Sequence, residues 1–293
     1  MKKRMIWLSA GLLLSLPTML FAQTGKVYDN LSLKSQILNM ERRYAVYLPP
    51  DYSTSERSYP VLYLLHGRTD DQTGWIQFGE ILHIADKTIR EGVSTPMVVI
   101  MPDADTGQRG YFNTVDGKWR YEDFFFEELM PHVEKQFRIR AEKRYRAVAG
   151  LSMGGGGSLM YALHRPELFS SSCPLSASAG PLSVEHLKRM LQRYSQVDPS
   201  VVPESMLEAY YQSHSAVYMM ENLPVDEIKS VRWFIDIGDD DFLYEGNSLI
   251  HIAMKKREIP HEYRVRNGAH NWTYWRASLP EVLRFVSEAF HQY

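Results

Sequence analysis

The chain has 293 residues, of which 44% are hydrophobic and 23% are charged, and its formal net charge at pH 7 is −2. This composition excludes an intrinsically disordered or fibrous protein, and the near-neutral charge gives no reason to expect a nucleic-acid partner. The ten histidines and the single cysteine show no metal-ligand spacing, so we expect no metal and no other cofactor.

The first 22 residues have the composition of a secretory signal peptide. Basic residues at 2–4 precede an apolar stretch at 6–19, and the small residue Ala22 closes the segment. The stretch falls short of the ~20 residues that a membrane-spanning helix needs, and serines and a proline interrupt it. No cysteine follows for a lipid anchor. We therefore expect cleavage before Gln23, export to the periplasm or the medium, and no stable membrane anchor.

Beyond this segment, strands alternate with helices. The first two predicted strands alternate apolar and polar residues, which is typical of an antiparallel pair, whereas later strands are continuous apolar runs of the buried, parallel kind. Cys173 lies in one of these runs and is interpreted as packing, not as a nucleophile. The pattern predicts a mostly parallel sheet with helices on both faces, which is the α/β class. Strands are predicted at 31–38, 42–48, 60–67, 97–102, 145–149, 169–175, 231–237 and 261–266, and helices at 73–90, 121–137, 158–164, 245–257 and 279–292.

The alternation is interrupted between about 178 and 230. Helical patterns occur there at 184–192, 203–213 and 224–229, separated by loops and without a buried strand. We interpret this stretch as a helical insertion over the active site and not as a second domain. A single domain is therefore predicted at 23–293.

Gly150, Ser152 and Gly154 form a Gly-x-Ser-x-Gly motif between a predicted strand and a predicted helix. This is the setting of a nucleophile elbow, in which a tight turn presents a serine above the sheet. The helix that follows would direct its backbone N–H groups towards a developing oxyanion. The alternative is a glycine-rich loop without a chemical role.

Two later strands end in residues that complete a serine hydrolase. Aspartates at 239–241 follow one strand, and His270 follows the last strand. The order Ser, Asp, His along the chain is that of an α/β-hydrolase triad, in which the histidine takes the proton of Ser152 and the acid orients the imidazole. Spacing alone does not separate Asp240 from Asp241.

An oxyanion hole needs backbone donors from the elbow and from an earlier strand end. We assign these donors to the N–H groups of Met153 and Arg68, because Gly67 permits close approach of the backbone. His66, which precedes this glycine at the strand end, is expected to hold the loop by hydrogen bonds.

Together these motifs resemble the esterase D-like "putative esterase" family, which includes the feruloyl and acetylxylan esterases of carbohydrate esterase family one. The resemblance implies an α/β-hydrolase fold and a Ser-Asp-His triad. In the family the acid stands in a Gly-x-x-Asp pattern before apolar residues, which within 238–243 selects Asp241. A glycine is usual where Ala269 stands, and an acidic residue is frequent where Asn271 stands. The resemblance rests on 64–67 with Trp75, 121–124 with 128–129, 146–155, and 268–272 with Trp275.

The resemblance and the export signal together favour a secreted serine carboxylesterase that acts on small-molecule or oligosaccharide esters. Feruloyl esters of plant cell-wall xylan are the first expectation, since the S-formylglutathione hydrolases of the family work in the cytosol. Acetylxylan esterase, siderophore esterase and acyltransferase are the alternatives on this scaffold. A catalytically silent binding protein is the alternative outside enzymes.

Aromatic and methionine side chains are the candidates for substrate binding. Trp75, Tyr111, Trp119 and Trp272 are the first candidates. Within the insertion, packing of its own helices accounts for most such side chains. The further candidates for an acyl pocket are Phe112, Met190, Tyr194, Met206, Tyr210, Tyr211, Tyr218 and Met219.

Overall fold

Eight strands form one sheet in the computed structural model, which describes residues 23–104, 109–195 and 197–291. The predicted signal peptide at 1–22 lies outside the described residues. The strands are β1 (Lys26–Ser35), β2 (Met40–Leu48), β3 (Val61–Leu65), β4 (Val98–Pro102), β5 (Arg146–Leu151), β6 (Ser171–Leu175), β7 (Arg232–Gly238) and β8 (Glu262–Arg266).

The spatial order of the strands is β1-β2-β4-β3-β5-β6-β7-β8. β1 and β2 pair antiparallel, as does β2 with β4, and every other neighbouring pair is parallel. β3, β4, β5 and β6 are buried almost throughout, because helices cover both faces of a parallel sheet. The predicted α/β class and its parallel sheet are confirmed.

The helices of the described residues are α1 (Gly74–Gln77), α2 (Ile81–Arg90), α3 (Tyr121–Asp123), α4 (Met130–Gln136), α5 (Met153–His164), α6 (Val184–Tyr194), α7 (Glu204–His214), α8 (Ala216–Asn222), α9 (Val225–Lys229), α10 (Tyr244–Lys256) and α11 (Trp272–His291). Helices α1, α2 and α11 cover one face of the sheet, and α3, α4, α5, α8 and α10 cover the other. None of these helices is both long and apolar enough to cross a membrane. A π-helical turn at Phe124–Leu129 joins α3 to α4.

The helix predicted at 73–90 is two helices. Glu80 adopts a left-handed conformation with φ of 53°, which separates α1 from α2. The break leaves Phe78 exposed beside the active-site cleft. Apolar periodicity is similar on both sides of the break, so it predicted one continuous element.

The last helix begins seven residues before the predicted start at 279. Asn271 caps it, because its Oδ1 accepts the N–H of Tyr274 at 3.1 Å. Pro280, the second residue of the predicted helix, lies inside α11. The early start places the first turn of α11 directly after His270 and brings Trp272 and Trp275 to the cleft.

Helices α6 to α9 lie between β6 and β7, in the described part of the stretch predicted as an insertion. The sequence pattern missed α8, whose Ala216, Met219 and Met220 are buried in the main core. Part of this stretch therefore packs on the sheet-covering helices, while α6 and α7 form a small apolar cluster of their own.

Candidate active site

The elbow is a strained turn between β5 and α5. Ser152 has φ of 54° and ψ of −114°, a conformation that non-glycine residues rarely adopt. A Cβ on Gly150 would lie 2.4 Å from the carbonyl oxygen of Gly154, and a Cβ on Gly154 would lie 2.5 Å from that of Leu65. Both glycines of the motif are thus required by close backbone approach.

Ser152, His270 and Asp241 form a continuous hydrogen-bonded chain. The Nε2 of His270 lies 2.9 Å from the Oγ of Ser152, and its Nδ1 lies 2.8 and 3.0 Å from the carboxylate oxygens of Asp241. Because a carboxylate only accepts, Nδ1 carries the proton and Nε2 is free to accept from the serine hydroxyl. This is the geometry that activation of a serine nucleophile requires.

The aspartates near the end of β7 have different environments. Asp241 is only 1% exposed, whereas Asp239 and Asp240 are exposed. Asp239 accepts the N–H of Gly268 at 2.9 Å, so it ties the two loops together. Asp236, inside β7, accepts from Tyr274 and Arg266 beneath the site. The fold therefore brings Asp241 to the histidine and leaves Asp240 in solvent, a distinction that spacing could not make.

Ser176 supports the acid and was missed by the sequence reasoning. Burial alone would raise the pKa of Asp241, but hydrogen bonds from His270, the N–H of Leu243 and the Ser176 hydroxyl hold that pKa below its usual value. Ser176 is fully buried, has φ of 44°, and accepts the indole N–H of Trp275 at 2.9 Å. The available signal was its position directly after β6, at the strand edge that carries the other site residues.

The loop after β3 packs on the elbow and is held by His66. The His66 Nε2 accepts the N–H of Ala104 at 3.0 Å, and its Nδ1 donates to the carbonyl of Gly67 at 2.8 Å. Burial lowers the pKa of His66, so the imidazole is neutral. A Cβ on Gly67 would lie 3.6 Å from that of Ser152. Arg68 and Met153, the predicted oxyanion donors, line one cavity together with the serine.

The cleft has an apolar pocket on one side of Ser152. Its volume is about 350 Å³. The guanidinium of Arg68 lies 4.4 Å from the ring centre of Tyr194, so the insertion contacts the predicted oxyanion loop. We call this the apolar pocket, and its apolar and aromatic side-chain walls are Tyr111, Phe112, Met153, Met190, Tyr194, Phe242 and Leu243.

A second cavity, of about 620 Å³, also borders Ser152 and is lined by His270 and by aromatic residues. Phe78, Phe242, Trp272 and Trp275 contribute to its walls, and only Trp272 was predicted as a substrate contact. Phe242 was missed, although its ring centre lies 4.5 Å from that of His270. Its place directly after Asp241 was the available signal.

Of the other three predicted aromatic contacts, Trp75 and Trp119 do not line the cleft, whereas Tyr111 does. Trp75 is 1% exposed, and its indole donates to the carbonyl of Leu65 at 3.0 Å, so it supports β3 instead of facing the substrate. The fully buried Tyr111 accepts the N–H of His66 at 2.8 Å and is one of the residues that line the apolar pocket, as predicted. Trp119 is buried and donates to the carbonyl of Gly110 at 2.9 Å. Large aromatic side chains stabilise cores as often as they bind ligands, and composition does not separate these uses.

Most of the insertion's aromatic and methionine side chains do not reach the site. Tyr210 donates to the carbonyl of Asn113 at 3.0 Å, Tyr211 packs on Tyr218, and Met219 is buried in the core. Met206 is exposed away from the three cavities around the site.

No cluster of three or more His, Cys, Asp or Glu side chains in the described part of the chain is arranged to hold a metal ion. Cys173 is fully buried, and burial raises the pKa of its thiol, which disfavours the reactive thiolate.

Comparison with known proteins agrees with this geometry. The sequence profile described as "Putative esterase" matches residues 35–286. The chain is 32% identical over 247 residues to an esterase of Mycobacterium tuberculosis, a match that covers 77% of this chain and 51% of that protein. It therefore spans about half the length of this curated relative.

Two further relatives act on feruloyl esters according to their names. An endo-1,4-beta-xylanase/feruloyl esterase of Xylanibacter ruminicola is 37% identical over 133 residues, which are 42% of this chain and 18% of that protein. The solved structure of a ferulic acid esterase superposes with a TM-score of 0.80 at 32% identity and covers 91% of this chain and 99% of that one.

Proposed function

The chain belongs to the putative esterase family, a family of serine carboxylic ester hydrolases with the α/β-hydrolase fold, and on this basis we propose that it hydrolyses carbohydrate-linked esters through an acyl-enzyme on Ser152. Feruloyl esters of plant cell-wall xylan are the proposed substrates. The observation that carries the proposal is the Ser152–His270–Asp241 chain at the base of a cleft whose apolar pocket opens on the serine.

The proposed reaction starts with attack of the Ser152 Oγ on the ester carbonyl while His270 Nε2 removes its proton. Asp241 keeps Nδ1 protonated and stabilises the imidazolium that forms. The N–H groups of Arg68 and Met153 donate to the oxyanion, and each such donor typically contributes about 10²–10³ in turnover. His270 then protonates the departing alcohol, and a water activated by the same imidazole releases the acid from Ser152.

The apolar pocket is proposed to hold the acyl group. Its volume of about 350 Å³ lies within the range of small-molecule sites, and its walls combine aromatic rings with methionines, which adapt to an aromatic ring. The similarity to a ferulic acid esterase over nearly the whole of both chains supports the choice of a hydroxycinnamoyl group.

A comparison of methyl ferulate with acetylated xylan tests the substrate assignment. We expect release of ferulate with a clearly higher kcat/KM than release of acetate. A marked preference for acetylated xylan would contradict the feruloyl assignment while keeping the serine mechanism. The absence of turnover of both, and of p-nitrophenyl acetate, would instead favour a silent binding protein.

We also propose that the protein is exported and that 23–293 form one esterase domain, with 178–230 as a cover over the apolar pocket. The basic and apolar pattern of the first 22 residues supports export. The mass of the protein recovered from periplasm or medium tests this: an N-terminus at Gln23 is expected, and a chain retained in the cytosol with residues 1–22 would contradict it.

A further inference from the structure

The cavity on the His270 side of the cleft continues into a second one. The first, of about 620 Å³, and the second, of about 390 Å³, share Thr69, Asp70 and Phe78 as wall residues. Together they form a groove that leads from Ser152 past α1. We call it the alcohol groove, and its defining side chains are Asp70, Asp71, Gln77, Phe78 and Trp272.

The position of His270 decides which half of an ester enters this groove. The imidazole must deliver its proton to the departing oxygen, so that oxygen must come within hydrogen-bond reach of Nε2. His270 lines the groove, whereas the apolar pocket is lined by Met153, whose N–H faces the oxyanion in the proposed reaction. The alcohol half of the substrate therefore extends into the groove, and the acyl half extends into the apolar pocket.

One wall of the groove is aromatic. Phe78 is 47% exposed, and its ring centre lies 5.7 Å from that of Trp272, with an angle of 38° between the planes. The six-membered ring of Trp272 in turn closes on Gly74, where an added Cβ would lie 3.4 Å from the tryptophan Cζ2. Rings presented in this way can cover the C–H face of a sugar, which is the apolar part of that ligand.

Other lining residues of the groove form a polar wall. Asp71 accepts from the N–H and the hydroxyl of Thr73, each at 2.7 Å, which fixes its carboxylate at the start of α1. These hydrogen bonds are among the causes that lower the pKa of Asp71 against the effect of burial, so it is ionised and accepts from hydroxyl groups. Gln77, held at 2.8 Å by Thr73, adds an amide to the same wall. A carboxylate and an amide in the same groove as these rings match a ligand with hydroxyls at its edge and C–H groups on its face.

The geometry points to the alcohol groove as a subsite for the neutral sugar residue that carries the ester. This inference rests on the proposed ester hydrolysis at Ser152 but not on which acyl group is removed. It assigns selectivity for the alcohol to α1 and to the first turn of α11, neither of which contributes to the apolar pocket.

The test compares kcat/KM for matched esters that differ only in their alcohol. The first pair is methyl ferulate and feruloyl arabinose, and the second is methyl acetate and acetylated xylose. The variants are Phe78→Ala and Gln77→Ala. The control is Ile252→Ala, because Ile252 is 44% exposed on α10 and lines none of the three cavities.

We expect Phe78→Ala to lower kcat/KM for the sugar ester about 5–10-fold, as for loss of an aromatic contact in binding, while the methyl ester changes less than about twofold. Gln77→Ala should reduce the ratio of kcat/KM for the sugar ester to kcat/KM for the methyl ester by a smaller factor than Phe78→Ala does. Ile252→Ala should leave this ratio unchanged. Equal losses on both esters of a pair, or a ratio that neither variant changes, would overturn the subsite.

The two acyl series separate this inference from the feruloyl assignment. If feruloyl esters are not hydrolysed but Phe78→Ala lowers kcat/KM selectively for the acetylated sugar, the subsite is supported and the feruloyl assignment is contradicted. If the feruloyl pair is hydrolysed but Phe78→Ala does not lower kcat/KM selectively for feruloyl arabinose, the subsite is contradicted and the feruloyl assignment is supported. If neither pair is hydrolysed, both are overturned.

Discussion

Ser152, Asp241 and His270, which we call the floor of the cleft, are held by more hydrogen bonds than the exposed side chains that form its walls. The backbone of Ser152 bonds to Leu175, Gly156 and Ser178 at 2.9–3.0 Å, and both ring nitrogens of His270 are hydrogen-bonded. By contrast, Phe78, Phe242 and Tyr194 on the walls are 47%, 70% and 38% exposed.

This difference in hydrogen bonding and exposure indicates different roles for the floor and for the walls of the cleft. Groups that meet the reacting atoms must be preorganised, because misplacement removes transition-state stabilisation from every substrate. Exposed wall side chains contact only those parts of a substrate that differ from ester to ester, so they set selectivity. Substitutions in the floor should therefore lower turnover of all esters, and substitutions in the walls should change ratios between esters.

The largest effect is expected for Ser152→Ala. Without its nucleophile the site should lose about 10⁴–10⁶-fold in kcat on every ester, since the triad acts as a unit. Steady-state kinetics with p-nitrophenyl acetate and methyl ferulate checks this, with circular dichroism to verify folding. A loss restricted to one of the two esters would break the distinction between floor and walls.

Asp241→Asn should lower kcat about 10³–10⁴-fold, because an amide no longer holds the proton on Nδ1 of His270. Asp240→Asn is the matched control, since Asp240 is the exposed neighbour in the same loop, and it should change kcat less than about twofold. A severe loss confined to Asp240→Asn would refute the assignment of the acid.

Ser176→Ala should lower kcat about tenfold on all esters with little change in KM, because one donor to the Asp241 carboxylate is lost. The lost hydrogen bond also favours the protonated acid, so the acid limb of the kcat/KM profile should move to higher pH. A drop in thermal stability with an unchanged pH profile would identify Ser176 as structural only.

Tyr194→Ala should have the smallest effect and should act on one class of ester. Removing this ring from the apolar pocket is expected to reduce kcat/KM for methyl ferulate about 3–10-fold and to leave p-nitrophenyl acetate nearly unchanged. Tyr211→Ala is the control, because Tyr211 packs on Tyr218 within the insertion. An equal loss of kcat/KM on both esters would show that Tyr194 does not contact the acyl group selectively.

The sequence predicted the floor better than the walls for a physical reason. Strand ends follow from local apolar runs, and in a parallel sheet they meet at one edge, so Ser152, His270 and the aspartate loop could be brought together without coordinates. The choice between Asp240 and Asp241 depends on the path of a short loop. Spacing left that choice open, and only the family pattern pointed to Asp241.

The walls depend on packing between distant segments, which local patterns do not encode. Phe78 faces the cleft only because Glu80 breaks the helix after it, and Trp272 does so because Asn271 starts α11 early. Trp75 and Trp119 were predicted to bind substrate for the same reason as Trp272, namely that they are tryptophans, but both are buried. Exposure, which decides whether an aromatic ring binds substrate, is a property of the whole fold.

The most direct test of the central claim is the mass of the protein during turnover. The enzyme is mixed with excess p-nitrophenyl ferulate, quenched rapidly with acid, and analysed as the intact chain and as peptides. We predict that one feruloyl group is found on the peptide that contains Ser152 in the wild-type protein and none in Ser152→Ala. Release of ferulate at the wild-type rate by Ser152→Ala, or a feruloyl group on any other residue, would contradict the account.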